Sequence, residues 1–216
     1  MKKLMLAVPV ILLAFNSCLG LSADFQMRKN GSVKLAVEYR FPGAAENIGR
    51  LDGNERWQII PAGRADWERT IARVDGMKLS SFSSRNDSKD VINNVTLEFS
   101  NTDTLLKFLN PASGGKRASL NGGNGSNALN IIFTEPSGEI NADLLALMRQ
   151  VSIGYKLKIS FSAQKDSTMT FTDGLGKAVS PPENAEIVSQ GKKVSFSIDT
   201  AELLSRKEGL GVEFKW

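Results

Sequence analysis

The strongest constraint on this chain is the alternation of apolar and polar residues over short stretches. Tyr155, Leu157, Ile159 and Phe161 alternate with Lys156, Lys158, Ser160 and Ser162. The same period of two runs through Ala23, Phe25 and Met27, through Val33, Leu35, Val37, Tyr39 and Phe41, and through Val95, Leu97 and Phe99. It returns in Met169 and Phe171, in Val194, Phe196 and Ile198, and in Leu210, Val212, Phe214 and Trp216. Successive strand residues point to opposite faces, so each stretch makes a strand with one side on a core and one in water. That pattern belongs to antiparallel sheets, because parallel sheets covered on both faces read as unbroken apolar runs.

Turn residues and helical stripes order these strands. Asn30-Gly31 separates the first two runs. A two-residue loop there would set Met27 against Lys34 and mix apolar with charged side chains. A three-residue loop, Lys29 to Gly31 with Gly31 in the left-handed conformation, pairs Met27 with Val33 and Phe25 with Leu35. The connection Pro42 to Gly63 holds Trp57, Ile59 and Ile60 as a short strand candidate. A helix is expected over Asp66 to Met77, with Trp67, Ile71 and Val74 on one stripe. A second hairpin joins Lys78–Ser84 to Val91–Ser100. A short helix capped by Asn101 or Thr102 carries Leu105, Leu106, Phe108 and Leu109, and ends at Asn110-Pro111. After the Gly-rich stretch from Ser113 to Asn127, with a brief strand at Leu120, a strand spans Leu129 to Thr134. Asn141 is expected to cap a helix presenting Leu144, Leu145, Met148 and Val151. Thr200 opens a last one with Leu203 and Leu204. Helices that fall between hairpins, and not between single strands, define an α+β class. We expect antiparallel hairpins forming a curved sheet, three to four short helices on one face, and one domain over 23–216.

The first residues carry a different signal. Lys2 and Lys3 precede an apolar run from Leu4 to Phe15, interrupted by Pro9. The run suits an export signal and falls short of the roughly 20 residues of a membrane span. Phe15-Asn16-Ser17-Cys18 follows. Ser17 and Cys18 match the bacterial lipobox, in which the Cys is acylated and becomes the mature N-terminus, whereas Phe15 and Asn16 depart from it. The expectation is a signal peptide over 1–17, lipidation at Cys18, a tether over 18–22, and a membrane anchor in the bacterial envelope. Acyl chains of the palmitate type would provide that anchor, since several chains bind a membrane firmly where one does not. Cleavage after Gly20, giving a soluble periplasmic or secreted protein, is the alternative; a retained N-terminal anchor is a third. Cys18 is the only cysteine in 216 residues, so it has no disulfide partner within the chain.

Composition then excludes whole chemistries. The chain has no histidine, which rules out Ser-His-Asp and Cys-His catalysis and histidine-ligated zinc, haem or facial-triad iron. No cofactor or metal is expected. Loss of Lys2 and Lys3 with the signal lowers the formal charge from +4 to +2, which offers no case for nucleic-acid binding.

Three groups of residues are candidates for a site. Lys116 and Arg117 in the Gly-rich stretch have the charge to hold an anion, but lack the G-x-x-x-x-G-K-[ST] spacing of a phosphate cradle, and a surface loop is the simpler reading. Trp57, Trp67 and Trp216 would suit an apolar pocket, though Trp67 and Trp216 sit in amphipathic patterns that point to the core. Asp66, Glu68, Glu98 and Glu135 are the available carboxylates for acid–base work, and no spacing selects a pair. Asn30, Asn86 and Asn94 open N-x-[ST] triplets, chance matches behind a bacterial signal.

The order of parts resembles the LppM-type domain of bacterial envelope lipoproteins. The residues that carry the likeness are Cys18, the Asp24-Phe25 strand with its Asn30-Gly31 hairpin, and Tyr155-Lys156-Leu157. They continue with Gly191-Lys192-Lys193-Val194-Ser195-Phe196, Ala201-Glu202-Leu203-Leu204 and the closing Val212-Glu213-Phe214-Lys215-Trp216. The resemblance implies an α+β domain on an envelope surface that handles lipids or glycolipids, and it carries over no functional residue. Members of that family often continue into a transmembrane helix; none follows Trp216, so anchoring is expected to rest on Cys18. The resulting expectation is a non-enzymatic lipoprotein that binds a lipid or other amphiphilic ligand. A structural or protein-interaction lipoprotein is the alternative, and a carboxylate-based hydrolase a more distant one. A cavity of about 300 Å³ or more would favour the ligand-binding reading.

Overall fold

The alternating stretches are among eleven strands that the described residues form in two sheets. The computed structural model describes residues 20–43, 63–87, 89–110, 116–123, 126–137 and 142–216. Along the chain these are β1 (Gly20–Met27), β2 (Val33–Pro42), α1 (Arg64–Ile71), β3 (Met77–Asn86), β4 (Asp90–Phe99) and α2 (Thr102–Leu109). Then come β5 (Ala118–Gly123), β6 (Ser126–Thr134), α3 (Ala142–Val151), β7 (Lys156–Ser162) and β8 (Thr168–Thr172). The last are β9 (Glu186–Gln190), β10 (Lys193–Asp199), α4 (Thr200–Ser205) and β11 (Leu210–Lys215). The larger sheet has the order β3-β4-β2-β1-β7-β10-β9, and the smaller has β5-β6-β11-β8. The α+β class read from the sequence is correct. Cys18 and Trp57 lie outside the described residues.

The first hairpin has the register argued from its side chains. Met27 pairs with Val33 and Phe25 with Leu35. Gly31 takes φ +80°, and its N–H donates to the Arg28 carbonyl at 3.0 Å. The Asn30 side chain accepts from the Ser32 N–H at 3.1 Å and holds the turn. Two features differ from the expectation. β1 begins at Gly20, already paired with Arg40, so residues 20–22 belong to the sheet and not to a tether. In addition, β1 pairs with β7 in parallel, Leu21 beside Leu157 and Phe25 beside Phe161, where alternation pointed to antiparallel pairing throughout. The pattern records which face a residue takes and is silent on a neighbouring strand's direction.

One face of the large sheet carries the core. Phe25, Leu35, Leu97, Phe161 and Phe196 are buried there, while Asp24, Lys34, Glu98, Lys158 and Ser195 alternate onto the other face. The small sheet covers the β7–β10 side. Phe161 stacks on Phe214 at 5.0 Å between ring centres, and Phe171 meets Phe196 edge-on at 5.2 Å. Helices α1 and α2 close the β2–β4 side, where Phe108 packs between Trp67 and Phe99 at 6.4 and 5.5 Å. The indole N–H of buried Trp67 donates to the Tyr39 hydroxyl at 3.0 Å, so its polar atom is satisfied within the core.

Helix α2 follows its caps: Asn101 Oδ1 accepts from the Thr104 N–H at 2.9 Å. Helix α1 stops at Ile71, short of the expected Met77. Past Ile71 the bonds tighten, with the Val74 N–H donating to the Ile71 carbonyl at 3.0 Å. Gly76 then reverses the chain at φ +85°, because Met77 is needed opposite Phe99 as the first rung of β3.

Glycine at 76 is required twice over, since a Cβ there would lie 2.5 Å from Ser100 Oγ, whereas one at Gly31 meets nothing within 4 Å. Gly31→Ala is expected to cost only the left-handed penalty of about 1–2 kcal/mol, and Gly76→Ala more than that. Urea denaturation of the two variants checks the order. Burial also pushes the Tyr39 hydroxyl above its usual value, against the hydrogen bond from Trp67. The folded state therefore keeps this proton longer than the unfolded chain. That contribution to stability is complete below the unfolded value near pH 10 and is lost as pH rises towards the raised folded one. Tyr39→Phe should flatten the alkaline fall in stability, as followed by chemical denaturation across that range.

Candidate functional site

The parallel pairing of β1 with β7 sets the ends of two turns side by side. Beyond Met27, the last residue of β1, lies the Arg28–Ser32 turn; beyond Ser162, the last of β7, lies the turn with Gln164 and Lys165. These turns, the first residue of α2 and the end of the small sheet surround an open cleft of about 390 Å³. Met27, Leu120 and Trp216 give it an apolar floor, and Arg28, Lys29 and Lys165 put cations on its rim. Thr102, Asn127 and Gln164 supply neutral polar groups.

The floor is held from below. Trp216 packs on Phe161 with ring centres 5.0 Å apart. Its backbone exchanges two hydrogen bonds with Asn127, at 3.0 and 3.1 Å, which extends the β11–β6 ladder by one step. Met27 is buried at the end of the core face of β1. On the rim, Arg28 bonds Glu98 at 2.9 Å across exposed surface. That pair fixes the guanidinium at the mouth without adding much to stability. The site thus joins three apolar side chains to three cations, a combination suited to an anionic amphiphile.

The groups singled out in sequence are scattered. Trp67 is a core residue above Tyr39, whereas Trp216 serves the core and the cleft together. Lys116 and Arg117 border a second, more polar cleft of about 300 Å³ on the outer side of the small sheet, with Glu213 and Leu175. There the Arg117 guanidinium faces Glu135 at 3.5 Å, and the Arg117 backbone N–H donates to Asn110 Oδ1 at 2.8 Å. Each candidate carboxylate faces a cation: Asp66 pairs with Arg69, Glu68 with Arg64, Glu98 with Arg28 and Glu135 with Arg117. The structure brings none of these carboxylates together. Among the described residues no cluster of three His, Cys, Asp or Glu side chains could hold a metal, and no helix is long and apolar enough to cross a membrane. Sequence reasoning missed Arg28, Lys29 and Lys165. The signal was there in two basic turns, but only the β1–β7 pairing shows that they are neighbours.

Comparison with known proteins adds little. No protein-family model and no curated protein matches the sequence. Among solved structures, the NMR structure of the Mycobacterium tuberculosis LppM folded domain matches over 92% of this chain and 88% of that one. The identity is 10% and the TM-score 0.41. The relation is a distant one at the level of the fold at most.

Removing the aromatic floor should be visible in the fold before any ligand is added. Trp216→Ala deletes the contact with Phe161 and is expected to cost about 3 kcal/mol. Lys165→Ala, at the rim, should stay within about 0.5 kcal/mol of the parent. Thermal denaturation of both variants compares the two.

Proposed function

We propose that this protein is a non-enzymatic lipoprotein of the bacterial envelope that is anchored by acyl chains on Cys18 and binds an anionic amphiphile, such as a phospholipid or acidic glycolipid, in the cleft at the far end of β1. The observation that carries the ligand reading is the cleft's make-up: an apolar floor of Met27, Leu120 and Trp216 under a rim of Arg28, Lys29 and Lys165. Acyl chain would lie on the floor and displace water from it, while the headgroup meets the cations. The site differs in kind from the enclosed pocket between layers that a lipid carrier invites one to expect. The rings of Phe161, Phe171, Phe196 and Phe214 fill that space, and the open cleft favours a headgroup and part of a chain. The anchoring reading is supported by Lys2-Lys3, the apolar run and Ser17-Cys18.

A second reading has its own observation. β9 is an edge strand exposed along its whole length, with Ile187 and Val188 about half exposed. Such an edge can take up a strand from another protein, which would make the protein an interaction module.

Native mass spectrometry separates the two. The processed protein, purified gently from membranes, is incubated with lyso-phosphatidylglycerol and with lyso-phosphatidylcholine. The expected result is a one-to-one adduct with the anionic lipid. Lys29→Glu combined with Lys165→Glu should weaken it at least about tenfold, or about 1.4 kcal/mol. An unchanged apo mass with both lipids would sink the ligand reading and leave the β9 edge as the surface to pursue.

A further inference from the structure

If Cys18 carries the anchor, the fold dictates which end of the domain meets the membrane. This step rests on the lipoprotein reading above. Only Leu19 lies between Cys18 and Gly20, and two residue steps span at most about 7 Å. Gly20 is already locked in the sheet, paired with Arg40. A Cβ on it would fall 2.7 Å from Arg40 Cγ and 3.3 Å from Tyr155 Cδ1. The Tyr155 hydroxyl in turn donates to Asp90 Oδ1 at 2.6 Å, bracing this end from β7 across to β4. An anchor on so short a lead leaves the domain no slack to stand off from the bilayer.

The same end exposes apolar side chains. The turn that enters β7 closes with a hydrogen bond from the Tyr155 N–H to the Ser152 carbonyl at 2.9 Å, and Gly154 takes φ +84°. Ile153 stands on that turn, 77% exposed, and Leu147 on the preceding helix α3 is 51% exposed. Ile153 is two residues before Tyr155, whose ring lies against Gly20, so it sits beside the point where the chain leaves for Cys18. An isoleucine that far into water at a turn tip does nothing for the core. Beside an acylated N-terminus it has an apolar phase to enter.

We propose that the end of the large sheet where β1 begins is a membrane-contacting surface, with Ile153, and Leu147 behind it, seated in the boundary between headgroups and acyl chains. The cleft then lies at the other end of β1. Seven steps of about 3.3 Å separate Gly20 from Met27, so it lies about 23 Å along the strand from the membrane-contacting end.

The test uses the full chain, exported and processed in bacteria. Acylation removes the Cys18 thiol, so Ile153→Cys supplies a single site for an environment-sensitive dye, and Asp75→Cys, at the opposite end beside the start of β3, supplies the control. Both are reconstituted in vesicles of phosphatidylethanolamine and phosphatidylglycerol. The dye at position 153 is expected to brighten several-fold, shift to the blue and be quenched by nitroxide-labelled lipid, while the dye at position 75 behaves as in water. A dye at 153 that stays water-like, on protein whose intact mass carries the diacylglyceryl group on Cys18, overturns the membrane-contact surface and leaves the lipoprotein reading standing. An intact mass with an unmodified Cys18 overturns both. Leu147→Cys repeats the measurement from helix α3 and is expected to show the same blue shift and quenching.

Discussion

The pairing of β1 with β7 is the constraint on which the rest of the molecule depends. Among the described residues every other strand pairing is antiparallel, and half of them join strands consecutive in the chain. This one brings Leu21 against Leu157 and Phe25 against Phe161, across most of the chain. Closing so long a loop costs conformational entropy before any contact forms, though the cost grows only with the logarithm of length. The return is a single sheet in place of two. β3, β4 and β2 attach on one side of the joint, β10 and β9 on the other. It also lays Phe161 where Phe214 can stack on it, so the small sheet finds its seat through the same contact.

That joint explains which parts of the fold were legible. Local choices could be read from residues alone. The register of the first hairpin followed from keeping Met27, Phe25, Val33 and Leu35 on one face, because a slip by one residue would have turned a whole strand outward. The Asn101 cap of α2 was readable because a side-chain oxygen before an apolar helical stripe has one obvious use. The parallel joint was not, since Leu157, Ile159 and Phe161 alternate in the same way whichever direction their neighbour runs. Strand β9 was missed because all of its residues are exposed, leaving no apolar face for the eye to follow. Helix α1 looked longer than it is because Val74 fits its stripe, yet Met77 is claimed by the ladder with Phe99.

The cleft was hidden for the same reason. Arg28 and Lys29 belong to one turn, Lys165 to another, and Trp216 to the end of the last strand. None of these positions is unusual in its own neighbourhood. A site whose parts come from different turns has no spacing to detect, and becomes a site only when the β1–β7 joint fixes the turns together. The carboxylates show the converse. Asp66 with Arg69 and Glu68 with Arg64 sit within one helical turn of each other, and their partners were present in the sequence three and four residues away. Each is taken up by a cation one turn along its own helix and not by a second carboxylate.

The joint also gives the molecule two chemically unlike ends. Because β1 and β7 run the same way, their first residues and the turn that enters β7 lie at one end, and their last residues and the turns that leave them lie at the other. Gly20, Tyr155 and exposed Ile153 are at the first end; Met27, the basic turns and Trp216 are at the second. An antiparallel joint would have mixed the two sets, placing the Ile153 turn beside Arg28 and the Lys165 turn beside Gly20. The strand direction that alternation left open is therefore what separates an apolar tip next to the chain's N-terminal exit from a cationic mouth a strand's length away. The β-sheet that joins the two ends is also the spacer between them.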